Sequence, residues 1–312
     1  MRTKLFNGVA AVVLSMILWG CPGSKSTSDA VELKFNLEKG KTYVYAMKTH
    51  FDMNMEMMGK KMETGGDVDF GFKMKVEDVD AQGNRMLSNT YDAIRFRMNA
   101  MGVDMGYDSK NTGDTTKESM MSGMFRKIFS GMVGKTFKMT MSPLGEVSKI
   151  EGLTEMVQSM SEHLDLPENM REKMSGQFKE SFNEEQIKQS FQQGFGFYPG
   201  KPVKPGDSWT KNMKTNMNKM AMDVDTKYTV KEIKDNTAFL ELSAVLKAAG
   251  TDSASVTNSM DIKGDSKGTM EIDLATGLNK HGSMDMTMKI SSPALQQPMD
   301  MKMTINIEGK QL

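Results

Sequence analysis

The chain has 312 residues, with 40 Lys+Arg against 40 Asp+Glu, three His and one Cys. A formal net charge of zero argues against a nucleic-acid binder, which needs a basic surplus, and a single Cys leaves neither an internal disulfide framework nor a Cys-based zinc site. At 38% hydrophobic the chain can build a core in one large domain or two ordinary ones, and its oddity is 35 Met, roughly twice the Leu, an inversion of ordinary usage.

Met1 to Lys4 is a short basic region, and Val9 to Leu18 (VAAVVLSMIL) is an apolar run. The run is too short to span a bilayer, which takes about 20 apolar residues, so residues 1–20 read as an export signal outside the fold. Leu18-Trp19-Gly20-Cys21 resembles the bacterial lipobox, although Trp19 departs from the small or aliphatic residue usual there. The resemblance implies a diacylglyceryl group on the Cys21 thiol, cleavage before it, and acylation of the new amine. Several acyl chains would anchor the protein firmly, at roughly 0.8 kcal/mol per buried methylene. By the same resemblance, Pro22 in place of Asp favours the outer over the inner membrane. Residues 21–30 continue as a small, polar, flexible tether.

From Val31 the pattern has period two. Val31, Leu33, Phe35 and Leu37 alternate with polar residues, as do Met53, Met55 and Met57, and then Phe70, Phe72, Met74 and Val76. Each run predicts a strand with one buried face. Asp80 to Asn84 reads as a turn, Arg85 to Arg97 as a returning strand, and Phe137 to Met141 as another, stopped by Ser142-Pro143-Leu144-Gly145. The middle changes period. Met121, Phe125, Ile128 and Met132 predict a short helix, and Leu153, Met156, Val157, Met160 and Leu164 an amphipathic one. Pro167 can open a third helix with Met170, Met174 and Phe178 on its stripe. Asn183 with Gln186 resembles a capping box before Ile187 and Phe191. Gly194 to Pro205 ends the helical region, and period-two strands return at Met284, Met286, Met288, Ile290 and at Met299, Met301, Met303, Ile305, Ile307.

Gly40-Lys41-Thr42-Tyr43 finds an echo in Gly206-Asp207-Ser208-Trp209, and Val76-Glu77-Asp78-Val79-Asp80 in Val230 to Asp235, with a shorter hairpin in the second copy. An internal duplication and a chance match in Met/Lys-rich sequence both account for this. Leu37 to Tyr43, Val76 to Asn84, Val133-Gly134-Lys135 with Ser142 to Gly145, and Val203 to Trp209 are similar to an uncharacterised family of bacterial envelope lipoproteins known only as a domain of unknown function. The resemblance implies secretion and a β-rich fold, and carries over no functional residue except Cys21.

Chemistry is sparse. His50, His163 and His281 are isolated, with no paired zinc spacing. Ser208 and Lys211 match S-x-x-K, but Pro205-Gly206-Asp207 leads into a strand, where positions three apart point to opposite faces. Asp78, Asp80 and Gln82 resemble the start of a calcium loop whose twelfth position is Asn89 rather than Glu, and a hairpin turn accounts for them. No catalytic residues and no cofactor are assigned. Thioethers are soft Cu(I) ligands, so Met53, Met55, Met57, Met284, Met286, Met288, Met299, Met301 and Met303 are candidate metal ligands. Packing is the competing account, since Met alternates with polar residues as Ile or Val would.

The expected fold is β-rich α+β: large curved antiparallel sheets, with two related halves as an option, and a helical insert. The expected organisation is a signal at 1–20, a tether at 21–30, an N-terminal β-rich half at 31–150 with one short helix, a helical insert at 151–200 and a C-terminal β-rich half at 201–312. The expected role is a non-enzymatic lipoprotein of the cell envelope. It would meet the membrane through its N-terminal lipid and hold a hydrophobic ligand or lipid in a Met-rich interior. The alternatives are a Met-rich Cu(I)-binding protein and a structural or assembly component.

Overall fold

The computed structural model describes residues 29–57, 60–100, 102–111, 113, 120–162, 168–217, 220–248, 261–292 and 297–312. The export signal, Cys21 and most of the tether lie outside them, as do His163, Leu164 and Pro167.

Among the described residues there are twelve strands and four helices. In chain order they are β1 (Thr42–Met57), β2 (Lys60–Val79), β3 (Arg85–Ala100), β4 (Val103–Asp108), α1 (Met120–Ser130), β5 (Thr136–Met141) and β6 (Val147–Glu151). Then follow α2 (Leu153–Glu162), α3 (Glu168–Ser181), α4 (Glu184–Phe195), β7 (Ser208–Met217), β8 (Met220–Lys234), β9 (Thr237–Ala248), β10 (Asp261–Asp273), β11 (Asn279–Ser291) and β12 (Met299–Gln311). The period-two runs from Met53 onward form strands, and the described parts of the period-3.6 runs form helices. The Asn183 side chain caps α4 by accepting the Gln186 backbone N–H, which satisfies one of the orphan donors of the first turn.

All strands join one antiparallel sheet in the order β6-β5-β3-β2-β1-β12-β11-β10-β9-β8-β7, with β4 beside β3. A single sheet replaces the several expected, because β1 pairs with β12 from Tyr43↔Gln311 to Asn54↔Asp300 and so fuses the two ends of the chain. The order is that of an up-and-down barrel left open between β6 and β7. Eleven strands side by side at about 4.8 Å would span about 48 Å if flat. Yet α4, whose 12 residues make a rod about 18 Å long, packs against both β6 and β7. The sheet is therefore curled, and α4 fits between its edges. Phe191 and Phe195 of this helix reach inward to Phe72, Phe137, Tyr45 and Phe35.

Residues 31–37 were expected to be a strand. Only Val31 makes a ladder contact, an isolated bridge to Val203. The rest lies as a plug with one face inward: Leu33, Phe35 and Leu37 are buried, each contributing roughly 1.5–3 kcal/mol, while the Lys34–Glu32 ion pair faces solvent. Its amides bond to turns rather than to a strand: Phe35 N–H donates to Pro143 O and Asn36 N–H to Thr276 O, both at 2.8 Å. Those turns join β5 to β6 and β10 to β11, so the plug ties opposite walls together. The buried Arg85 guanidinium donates to Leu37 O, Gly83 O and Asn36 Oδ1 and fixes the other end of the plug.

One hydrogen-bond pattern occurs twice. Gly40 N–H donates to Val76 O and Val76 N–H to Lys41 O; Gly206 N–H donates to Val230 O and Val230 N–H to Asp207 O. A bulge follows each valine, at Val76/Asp78 and at Val230/Glu232. The hairpin arm β1 has 16 residues and its counterpart β7 has 10.

Gly277 has φ +73°, and a Cβ there would run into the Lys34 carbonyl of the plug. Gly206 has φ +92° with open space around it. Left-handed backbone costs an L-residue about 1–2 kcal/mol, so Gly206→Ala should lower stability by about that much. Gly277→Ala should cost clearly more, because it also displaces the plug. Urea unfolding midpoints of the two variants test this, and equal losses would contradict it.

Candidate functional site

The two faces of the sheet differ in character. Its outer face carries His50, Asp52 and Asn54 on β1, Asp285, Thr287 and Lys289 on β11, and Asp300, Lys302 and Asn306 on β12, all exposed. Its inner face carries the apolar partners of the alternation. Over the N-terminal strands that face is covered by helices: α1 lays Phe125 and Phe129 against Phe96 and Tyr107, and α4 covers Phe72 and Phe137.

Over β7–β12 the inner face holds a partly enclosed cavity of about 380 Å³. Its origin lies in the ladder between β10 and β11. Gly264 pairs with Met288, Ser266 with Met286, Gly268 with Met284 and Met270 with Gly282. A small residue faces a Met at the first three pairs, and the order reverses at the fourth. Close approach requires Gly264, because a Cβ there would stand 2.8 Å from Met288 Cγ. On the other side of β10, Ser266 pairs with Ala244, and Ala244 with Thr226. Small side chains thus make a low floor, and Leu242, Leu246, Tyr228, Met284, Met286 and Met288 stand around it. Gln193, Gly194 and Phe197, at and just beyond the end of α4, close one end.

The polar groups of the cavity are few. Tyr228 packs against Trp209 at 5.5 Å between ring centres, and the Trp209 indole N–H donates to Phe197 O at 2.7 Å. Burial pushes the Tyr228 phenol up to about 12, although Thr226 bonds to it. Ser266 and Asn279 are each 2% exposed. Neither side chain has a hydrogen-bond partner among the described residues, and the same holds for the buried Tyr45 hydroxyl. Burial alone pushes the Tyr45 phenol far above its ordinary value. Among the described lining residues there is no Asp, Glu, Lys, Arg or His.

The candidate metal ligands are brought together in rows. Met53 pairs with Met301 and Met301 with Met288, which aligns three thioethers across β1, β12 and β11. Met303 and Met286 pair in the next row, and Met284 lies opposite Ile305. Met299 pairs with Ile290, and Met55 with Met62. Met57 closes β1 opposite Lys60. Met284, Met286, Met288 and Met303 line the cavity, together with Met213 and Met270. The inner polar residues Ser266, Asn279 and Tyr45 were not singled out from sequence. The signal available for Ser266 was its parity, a hydroxyl in phase with Ile262, Gly264, Gly268 and Met270.

The other sequence candidates are scattered. Ser208 opens β7 and Lys211 lies three residues on in the same strand, so their side chains leave opposite faces. Asp80 accepts the backbone N–H groups of Gln82 and Asn84 and the Asn84 amide, a carboxylate occupied by its own turn. His50, on the outer face, bonds Asp67 at 2.9 Å and lies 3.4 Å from Asp52; the Asp67 bond raises its pKa. Among the described residues no three His, Cys, Asp or Glu side chains gather as a metal site.

A profile described as a family of unknown function, DUF6263, matches residues 82–279. No curated protein matches the chain. Among solved structures, a lipovitellin structure entitled for its lipid–protein interactions aligns with 88% of this chain at TM-score 0.49 and 7% identity. This chain spans 25% of the lipovitellin chain. An outer membrane channel from Pseudomonas putida F1 aligns with 88% of this chain and 97% of its own, at TM-score 0.24 and 6% identity. The translocator domain of the autotransporter NalP from Neisseria meningitidis aligns with 88% and 90%, at TM-score 0.23 and 8% identity. Scores under 0.5 do not establish a shared fold.

Proposed function

We propose that this chain, which belongs to the family of unknown function DUF6263, is a non-enzymatic lipoprotein of the cell envelope that holds a hydrophobic ligand in the cavity of its curled sheet. The carrying observation is the 380 Å³ cavity with its apolar, Met-rich lining. Its volume lies within the range of small-molecule sites, about 300–1,000 Å³. The polarity of the sheet supports a carrier over a pore. A membrane-spanning barrel has an apolar outer band and a polar lumen; here charged side chains face outward and thioethers inward. In this reading the protein meets the bilayer through acyl chains on Cys21, at the outer membrane. The two hydrogen-bond patterns and bulges at Val76 and Val230 favour a tandem repeat. Helices α2–α4 are then an insert that fills the gap between the last strand of one copy and the first of the next.

The protein extracted from membranes under native conditions should carry an apolar ligand, seen as a mass increment in native mass spectrometry. Ala244→Phe raises the cavity floor and should lower ligand occupancy at least tenfold while the fold survives. Wild-type protein that remains empty with every apolar probe would sink the reading. Cys21→Ser should remove the acyl mass and shift the chain out of the membrane fraction; unchanged fractionation would refute the anchor.

A second reading, Cu(I) binding, is favoured by the Met53–Met301–Met288 row. Cross-strand neighbours stand about 4.5–5.5 Å apart at Cβ, close enough for flexible thioethers to share an ion. In competition with a Cu(I) chelator, wild-type protein should then outbind a Met288→Leu/Met301→Leu variant at least tenfold. Equal retention of copper by the two excludes this site.

A further inference from the structure

Asn279 stands at the start of β11, opposite Ile272, at the end of the cavity closed by Gly194 and Phe197. Its amide lies over Gly282: a Cβ on that glycine would be 2.6 Å from Asn279 Nδ2 and 3.5 Å from Oδ1. It therefore occupies the inner-face position that a side chain at 282 would take. Both amide atoms are buried without a partner among the described residues. Tyr45 is close by. Gly309, its partner on β12, sits so near Asn279 that a Cβ on it would be 2.5 Å from the Asn279 carbonyl. The Tyr45 hydroxyl lies 3.9 Å from the Cβ position of Gly194, which lines the cavity. An amide offers two donors and an acceptor, and a phenol adds one of each. Leaving such groups buried and unpaired is unfavourable.

We propose that the cavity takes an uncharged amphiphile, with its head group held at the closed end by the Asn279 amide beside the Tyr45 hydroxyl and its chain laid along the methionine rows. This rests on the ligand-binding reading above and names the chemical class of the ligand. The head group must accept and donate hydrogen bonds, as an alcohol, a glycerol ester or a primary amide does. A carboxylate or phosphate does not suit this end, because no cationic side chain is among the described lining residues and a buried, uncompensated charge is strongly unfavourable. At about 30 Å³ for a group the size of a water molecule, the partly enclosed cavity holds on the order of a dozen such groups, enough for the head group and the first part of a single chain.

Three probes with the same twelve-carbon chain separate the outcomes: monododecanoylglycerol, dodecanoate and dodecyl phosphate, each titrated into the delipidated full-length protein at neutral pH. Calorimetry and Trp209 fluorescence report binding, since Trp209 stacks on the cavity residue Tyr228. The neutral ester should bind at least tenfold more tightly than either anion. Asn279→Leu should remove that preference by weakening the ester about tenfold while leaving dodecanoate unchanged. Tyr45→Phe should weaken the ester in the same direction by less, and it keeps the proposal testable if Asn279→Leu does not fold. Anions that bind as tightly as the ester, or an ester indifferent to both substitutions, place the head group elsewhere and overturn this inference with the cavity reading intact. No binding of any probe overturns the cavity reading itself.

Discussion

A β-sheet that curls without closing leaves two problems: an interior too wide to fill with its own side chains, and two edges with unpaired backbone groups. The plug at residues 31–37 addresses the first. Its amides reach the Pro143 and Thr276 carbonyls on opposite walls, and Leu33, Phe35 and Leu37 occupy the space between. Helix α4 addresses the second by packing on β6 and β7 together. Gly277 and Arg85 make sense only against the plug, one by giving it room and the other by bonding its carbonyl and amide groups. The cavity lies beyond the plug, with the last turn of α4 closing one end of it.

The elements were legible from local periodicity, and the interior was not. Asn183 and Gln186 marked the start of α4 because capping is a contact within one turn. Strand alternation survived because half-buried strands sort polar from apolar at every step. The same alternation misled at Val31 to Leu37, since a half-buried extended segment sorts its side chains like a strand while its amides bond elsewhere. The union of the strands into one sheet depends on β1 meeting β12, a pairing of residues more than two hundred positions apart with no local signature.

The cavity was hidden for a related reason. Ala244, Gly264, Ser266 and Gly268 read along the chain as poor strand positions. Only the register, which sets Ser266 between Ala244 and Met286 and lets Gly264 and Gly268 bring the strands of the larger Met residues close, turns Ser266 and Ala244 into a floor. Asn279 and Tyr45 likewise gain meaning only from Gly309, which pairs with Tyr45 and lets the Asn279 backbone approach closely. The methionines, in contrast, were visible at once as an anomaly. Their distribution between packing and lining needed the third dimension.

The thioether wall has a consequence for selectivity. A rigid pocket of branched side chains discriminates one methylene by about 1–3 kcal/mol, because a misfit leaves a void or a clash. Met284, Met286, Met288 and Met303 are unbranched, and each has three side-chain torsions about which to rotate into a gap. Such a wall takes its contour from its contents and exchanges side-chain disorder for contact when filled. Chain length is then read weakly along the rows, and discrimination is concentrated at the one end of the cavity where the lining is fixed by backbone.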